Sequence, residues 1–107
     1  MIARTWHGTA TAATAEAYQQ HFTTKVAPHL KSIAGCRGAY LLRREDGGQV
    51  EFTAITLWDS METVKQFAGP DPEVAIVEPE GRKALSTFDA FARHHEVAYL
   101  AVQTTSA

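Results

Sequence analysis

Two alternating stretches flank Asp46-Gly47-Gly48, and they constrain the fold more than any other part of the chain. Gly38 to Glu45 and residues 50–58 both read as strands, because their side chains alternate between two faces. Glycine accepts the positive φ of a tight hairpin, so the residues between them read as the turn. A two-residue turn, centred on either Asp46-Gly47 or Gly47-Gly48, sets odd residues of the first strand opposite even residues of the second. Ala39, Leu41 and Arg43 then share a face with Ala54, Thr56 and Trp58. Tyr40 and Leu42 share the other with Thr53, Ile55 and Leu57. Neither row is polar enough to lie open to water, so both faces of the hairpin need cover.

The flanking segments say what covers one face. After Trp58, Asp59 can N-cap a helix over Ser60–Ala68, with Glu62 completing a capping box, and Gly69-Pro70 stops it. Residues 2–9 read as a first strand, with Ile2, Arg4 and Trp6 on one face and Ala3, Thr5 and His7 on the other. Thr14 can cap a long helix whose stripe runs through Ala15, Tyr18, Phe22, Val26, Leu30 and Ile33. Pro28 predicts a kink or short break in it, and Gly35 suits the C′ position that ends it. The proline-bearing segment 70–87 reads as one or two short helical turns, and Arg93 to Val102 as a fourth strand. The order β-α-β-β-α-β predicts an α+β, ferredoxin-like plan, an antiparallel sheet with helices on one face. A second copy, stacked sheet to sheet as a homodimer, is the simplest cover for the other face.

Composition narrows the partners. The chain has 107 residues and reads as a single domain, 1–107. A net charge of −2 gives no electrostatic reason to expect nucleic acid or an anionic membrane. No apolar run approaches the roughly 20 residues that span a bilayer, and the start has no continuous apolar region of a signal peptide. Cys36 is alone, so no intrachain disulfide forms, and a reducing, cytoplasmic setting fits. Gln103-Thr-Thr-Ser-Ala107 reads as a loose tail.

Four stretches carry a likeness: Met1-Ile-Ala-Arg-Thr-Trp-His-Gly8, Gly38-Ala-Tyr-Leu-Leu-Arg-Arg44, Glu51 to Gly69 with Leu57-Trp58-Asp59-Ser60-Met61-Glu62, and Phe88 to Val97 with Arg93-His94-His95-Glu96-Val97. Through them the chain resembles the antibiotic biosynthesis monooxygenase family over nearly its whole length. The resemblance implies a dimeric α/β barrel with a pocket between sheet and helices of each subunit. It implies a small monooxygenase acting on an aromatic or enolisable metabolite with O₂, without metal, flavin or other cofactor. Trp58 matches the tryptophan that ends the family's third strand. Where the first strand of the family often holds asparagine, this chain has Trp6, followed by His7. Relatives in the same superfamily degrade heme, so a heme-binding or heme-degrading protein is one alternative. The iron-ligating histidine of the second helix has no counterpart in Ser60–Ala68 or in 70–87. A non-catalytic dimer binding a small ligand is the other alternative.

The residues themselves offer proton transfer in an apolar cleft. A strand histidine can take a proton from a phenol or activated carbon acid, which makes His94 and His7 candidate bases. His94 and His95 are adjacent, so they point to opposite faces. Arg43 or Arg4 can hold the resulting anion with its fork of donors. Trp6, Trp58, Phe22 and Phe67 can form an aromatic box around a flat ring, or simply the core. His21 and His29, on the long helix, read as solvated. No closely spaced Cys/His cluster points to a metal.

Overall fold

The computed structural model describes residues 1–102, so the C-terminal segment 103–107 lies outside the described residues. β1 is Ile2–Thr11, β2 Cys36–Asp46, β3 Gln49–Trp58, β4 Thr87–Phe88 and β5 Arg93–Glu96. They form one sheet in the order β2-β3-β1-β4, with β5 on the same edge of β1 as β4, and every pairing is antiparallel. This is the ferredoxin-like α+β plan read from the sequence. The hairpin closes on Gly47-Gly48, with φ of 57° and 84°, and Asp46 pairs with Gln49. The register is the expected one: Tyr40 lies opposite Ile55, and Leu41 opposite Ala54.

Helices cover one face. α1 is Ala15–His21, followed by a π-helical turn Phe22–Val26 and then α2, Ala27–Lys31. The break expected at Pro28 therefore falls upstream of it. Pro28 sits in the first turn of α2, where a missing N–H costs least. Thr14 precedes α1, but its hydroxyl meets Thr11 and makes no cap hydrogen bond. Gly35 does not end the helix, which is already capped at Ser32. A Cβ at Gly35 would overlap the Thr63 side chain, so the residue serves a close approach of two segments.

α3 is Met61–Ala68 and α4 is Pro79–Ala84. The cap of α3 differs from the expectation. Ser60 is the N-cap, its hydroxyl accepting from the Thr63 N–H while the Thr63 hydroxyl accepts from the Ser60 N–H. Asp59 is engaged elsewhere: it accepts from Arg37 Nε at 2.5 Å and Nη2 at 3.0 Å. Arg37 is the extra residue of a β-bulge between Cys36 and Gly38, which places its side chain at that junction. This pairing holds the Asp59 carboxyl below its usual range. The expected fourth strand, 93–102, ends at Glu96. Glu96 pairs with Ile2, and the Val97 N–H reaches Met1 O.

Two packed clusters lie between sheet and helices. One contains Trp6, Tyr18, Val50 and Phe52; the other contains Phe22, Leu30, Trp58 and Val64. Leu41 and Ala54 pack against both. Among the described residues no helix is long and apolar enough to cross a membrane.

Candidate functional site

Where the two clusters meet, the packing leaves a cavity of about 70 Å³. Its floor is the helix-facing side of the sheet: Arg4 and Trp6 from β1, Ala54 and Thr56 from β3. The α1 side chains of Tyr18 and His21 form one wall, continued by Phe22 in the π turn. Phe67 of α3 and the segment from Ala75 to Glu78 close the rest. That segment carries no helix; it is held by an isolated bridge between Val74 and Phe91 and by the Ala75 N–H on Ala90 O at 2.9 Å. Sites for drug-sized ligands run from roughly 300 Å³ upward, so a multi-ring ligand requires the lining to move apart.

Arg4 is the most informative residue here. It is only 7% exposed and has no acidic partner among the described residues. Its Nη2 donates to the carbonyls of Pro72 and Val74, both at 3.4 Å, and its Nε is buried with no acceptor. The guanidinium lies 5.6 Å over the Phe67 ring. Burial pulls its pKa below the usual value, yet a guanidinium remains charged in proteins. A buried cation without an anion is costly, and here only two carbonyls and the Phe67 ring meet it. Thr56 lies directly across from Arg4 in the register. Its oxygen accepts from Trp58 Nε1 at 2.8 Å, which leaves the hydroxyl proton free to donate.

The expected aromatic box forms in part. Trp6, Phe22 and Phe67 line the cavity. Trp6 donates its indole N–H to Asp89 O at 2.8 Å, which fixes the ring. Trp58 is 0% exposed and lies behind Phe67 with ring centroids 5.8 Å apart, so it supports a wall rather than forming one. Gly8 makes room for Trp6: a Cβ there would stand 2.8 Å from Trp6 Cη2.

The expected bases fare differently. His94 is the cross-strand neighbour of Arg4 and faces the helix side, whereas His95 pairs with Ala3 and faces away. His94 Nε2 is buried without a partner. Burial lowers its pKa, and Arg4 lowers it further. His94 does not line the cavity. His7 points to the open sheet face, exposed, with Nδ1 at 3.2 Å from Asp89. Together with His95, Arg93 and Phe91 it borders a separate hollow there. Arg43 ties β2 to α1 by donating to Glu16 at 2.6 Å and Gln19 at 3.0 Å. His7 and Arg43 are therefore kept apart from the cavity.

His21, expected to be solvated, is buried instead. It is 7% exposed, lines the cavity, and places Nδ1 3.4 Å from the Glu80 carboxylate of α4. The distance suits an ion pair, but no hydrogen bond forms, and Nδ1 is otherwise unpartnered. His21 stands three residues after Tyr18, on the flank of the apolar stripe, and that spacing was the available signal. His29 also borders the cavity, though exposed, its ring 5.7 Å from that of Phe67. Tyr18, from the apolar stripe of the long helix, also lines the cavity, and burial pushes its phenol up to about 12. Among the described residues no group of three His, Cys, Asp or Glu is placed to hold a metal ion.

No family model matches the sequence, and no curated protein matches it. Solved structures do. A Bacillus cereus protein named as a candidate antibiotic biosynthesis monooxygenase is similar over 95% of this chain and 97% of its own, at 16% identity and a TM-score of 0.69. Rv0793 from Mycobacterium tuberculosis is similar over 94% and 98%, at 14% identity and a TM-score of 0.61. A monooxygenase from the gene ActVA-Orf6 of Streptomyces coelicolor, in complex with nanaomycin D, is similar over 96% and 92%, at 18% identity and a TM-score of 0.62. At these identities the likeness shows the fold.

Proposed function

From the fold it shares with antibiotic biosynthesis monooxygenases, we propose that this protein is a small cofactor-independent monooxygenase for an aromatic or enolisable metabolite. The observation that carries the reading is Arg4, a buried guanidinium without an acid, on the floor of a cavity walled by Trp6, Phe22 and Phe67. Such a floor favours a substrate that becomes anionic, and such walls favour a flat one. The Arg4 guanidinium and the Thr56 hydroxyl hold a phenolate or enolate oxygen. The aromatic side chains fix the ring and exclude water. The electron-rich anion itself then reduces O₂. The Streptomyces coelicolor neighbour, named as a monooxygenase and holding nanaomycin D, supports a ligand of this class. In this reading the working unit is a homodimer, paired through the open sheet faces that carry Tyr40 and Leu42.

The test is oxygen uptake with a panel of fused-ring phenols and hydroquinones, followed by the visible absorbance of quinone products. Uptake dependent on the protein is expected with at least one of them. Arg4→Gln should lower that rate by roughly 10²–10³-fold, the usual effect of deleting one donor to a developing oxyanion. Full activity in a folded Arg4→Gln variant would remove Arg4 from the site. No uptake with any member of the panel would remove the activity.

A further inference from the structure

An anion on Arg4 needs a proton acceptor within reach of the same cavity, and the histidine expected from the sequence does not line it. We infer that the cavity ionises a phenol on binding, with Arg4 and Thr56 holding the oxygen and His21, oriented by Glu80, taking the proton. The inference rests on the proposed function for its substrate class, but its chemistry needs no oxygen.

The geometry is that of a base with an orienting carboxylate. His21 sits in the wall opposite the sheet, more than nine-tenths buried, on the last residue of α1. Its Nδ1 is buried and without a hydrogen bond, 3.4 Å from Glu80 Oε2. In the tautomer protonated at Nδ1, a turn of the ring would let it donate to Glu80. Nε2 is then the lone-pair nitrogen left for a ligand. Gly81 packs beside this edge of the ring: a Cβ there would lie 3.4 Å from both Cδ2 and Nε2. The glycine therefore keeps the ring edge clear of a side chain. Glu80 reaches in from the rim and is itself largely exposed. Once His21 becomes an imidazolium, that carboxylate compensates the charge.

The step balances without an added reagent. The phenol O–H bond breaks, its electron pair stays on oxygen opposite Arg4, and the proton moves to His21 Nε2. One neutral imidazole and one neutral phenol become an ion pair bracketed by Arg4 and Glu80. Charges at both ends are met by groups already in place, so little reorganisation is required. His94, although next to Arg4, lies outside the cavity lining and has no carboxylate partner among its hydrogen bonds.

The test uses a nitrophenol, whose phenolate absorbs in the visible, near neutral pH and below the pKa of the free probe. The phenolate band should appear on binding to the intact protein. Calorimetry in buffers of different ionisation enthalpy should show no proton released, because the proton stays on His21. In His21→Gln the band should fall by about tenfold or more, or persist with one proton released per phenol bound. Glu80→Gln should weaken the band less than His21→Gln. Arg4→Gln should lose both the band and most of the binding. A band accompanied by proton release from the intact protein would overturn the inference. So would a full effect in His94→Gln with none in His21→Gln, or binding without any band. Ionisation of the probe without oxygen uptake from any substrate would leave this step standing and remove only the oxygenase reading.

Discussion

The two faces of the sheet are made by alternate residues of the same strands, yet they differ in what they leave unsatisfied. On the helix side, Arg4, Trp6, Thr56 and Trp58 are buried, and what lacks a partner is polar: Arg4 Nε, His21 Nδ1 and His94 Nε2. On the other side, Tyr40 is 55% and Leu42 49% exposed, and what lacks a partner is apolar. Unpaired polar atoms in a low-dielectric space are the raw material of binding and proton transfer. Unpaired apolar surface in water is the raw material of assembly. One residue of register separates the two: Trp6 borders the cavity, and His7 lies on the open face.

Substitutions that treat the faces as equivalent should break the contrast. The largest effect is expected at Trp58, fully buried against Phe67 and bonded to Thr56. Trp58→Ala should cost about 3–5 kcal/mol in chemical denaturation, a large fraction of a small domain's stability. A milder loss, with ligand affinity hit harder, would move Trp58 from support to site. Next comes Leu42 on the open face. Leu42→Asp should leave the fold of a single subunit within about 0.5 kcal/mol. It should nonetheless weaken self-association by about tenfold or more in sedimentation, because a carboxylate buried between sheets is costly. A wild-type protein that sediments as a monomer at all concentrations would end the assembly reading.

Two pH effects sharpen the covered face further. Tyr18, raised to about 12 by burial, is neutral in the folded state over a range where the unfolded chain ionises. Its stabilising contribution is whole below the ordinary tyrosine pKa of about 10 and is lost as pH rises through the folded value. Absorbance titration should show a late phenolate step that Tyr18→Phe removes. A smaller effect of opposite direction is expected at His94, whose pKa is lowered chiefly by burial. There the unfolded chain binds the proton first, so stability falls as pH drops below the unperturbed histidine value of about 6.5. His94→Gln should flatten that acid limb, and an unchanged limb would remove the desolvation argument.

The sheet was legible in the sequence because its information is local. Period-two alternation and the Gly47-Gly48 turn fix the register, and register fixes which residues share a face. The helix cap was misread because Asp59 and Ser60 both suit the position. The choice was decided by Arg37 across a bulge that no spacing announces. The extent of β5 depends on its long-range pairing with Ile2–Thr5 of β1, which no local pattern carries. The lining of the candidate cavity was half legible. Arg4, Trp6, Phe22 and Phe67 follow from strand and helix faces and do meet at one cavity. His21 was passed over because a helical histidine beside a polar face reads as solvated. Only α4, brought over it by the tertiary fold, buries it and supplies Glu80.

Gly8 sets a boundary condition on all of this. Trp6 lies along β1 over Gly8, where a side chain would collide with it, and Leu85 closes the remaining space at 3.3 Å. A methyl group at residue 8 would have to displace the indole, and the cavity is the empty volume beside that ring. The calibre of the chamber is thus written two residues along β1 from Trp6, in an atom the chain lacks. Variation at position 8 would retune the space beside the indole by moving Trp6, without changing the identity of any lining residue.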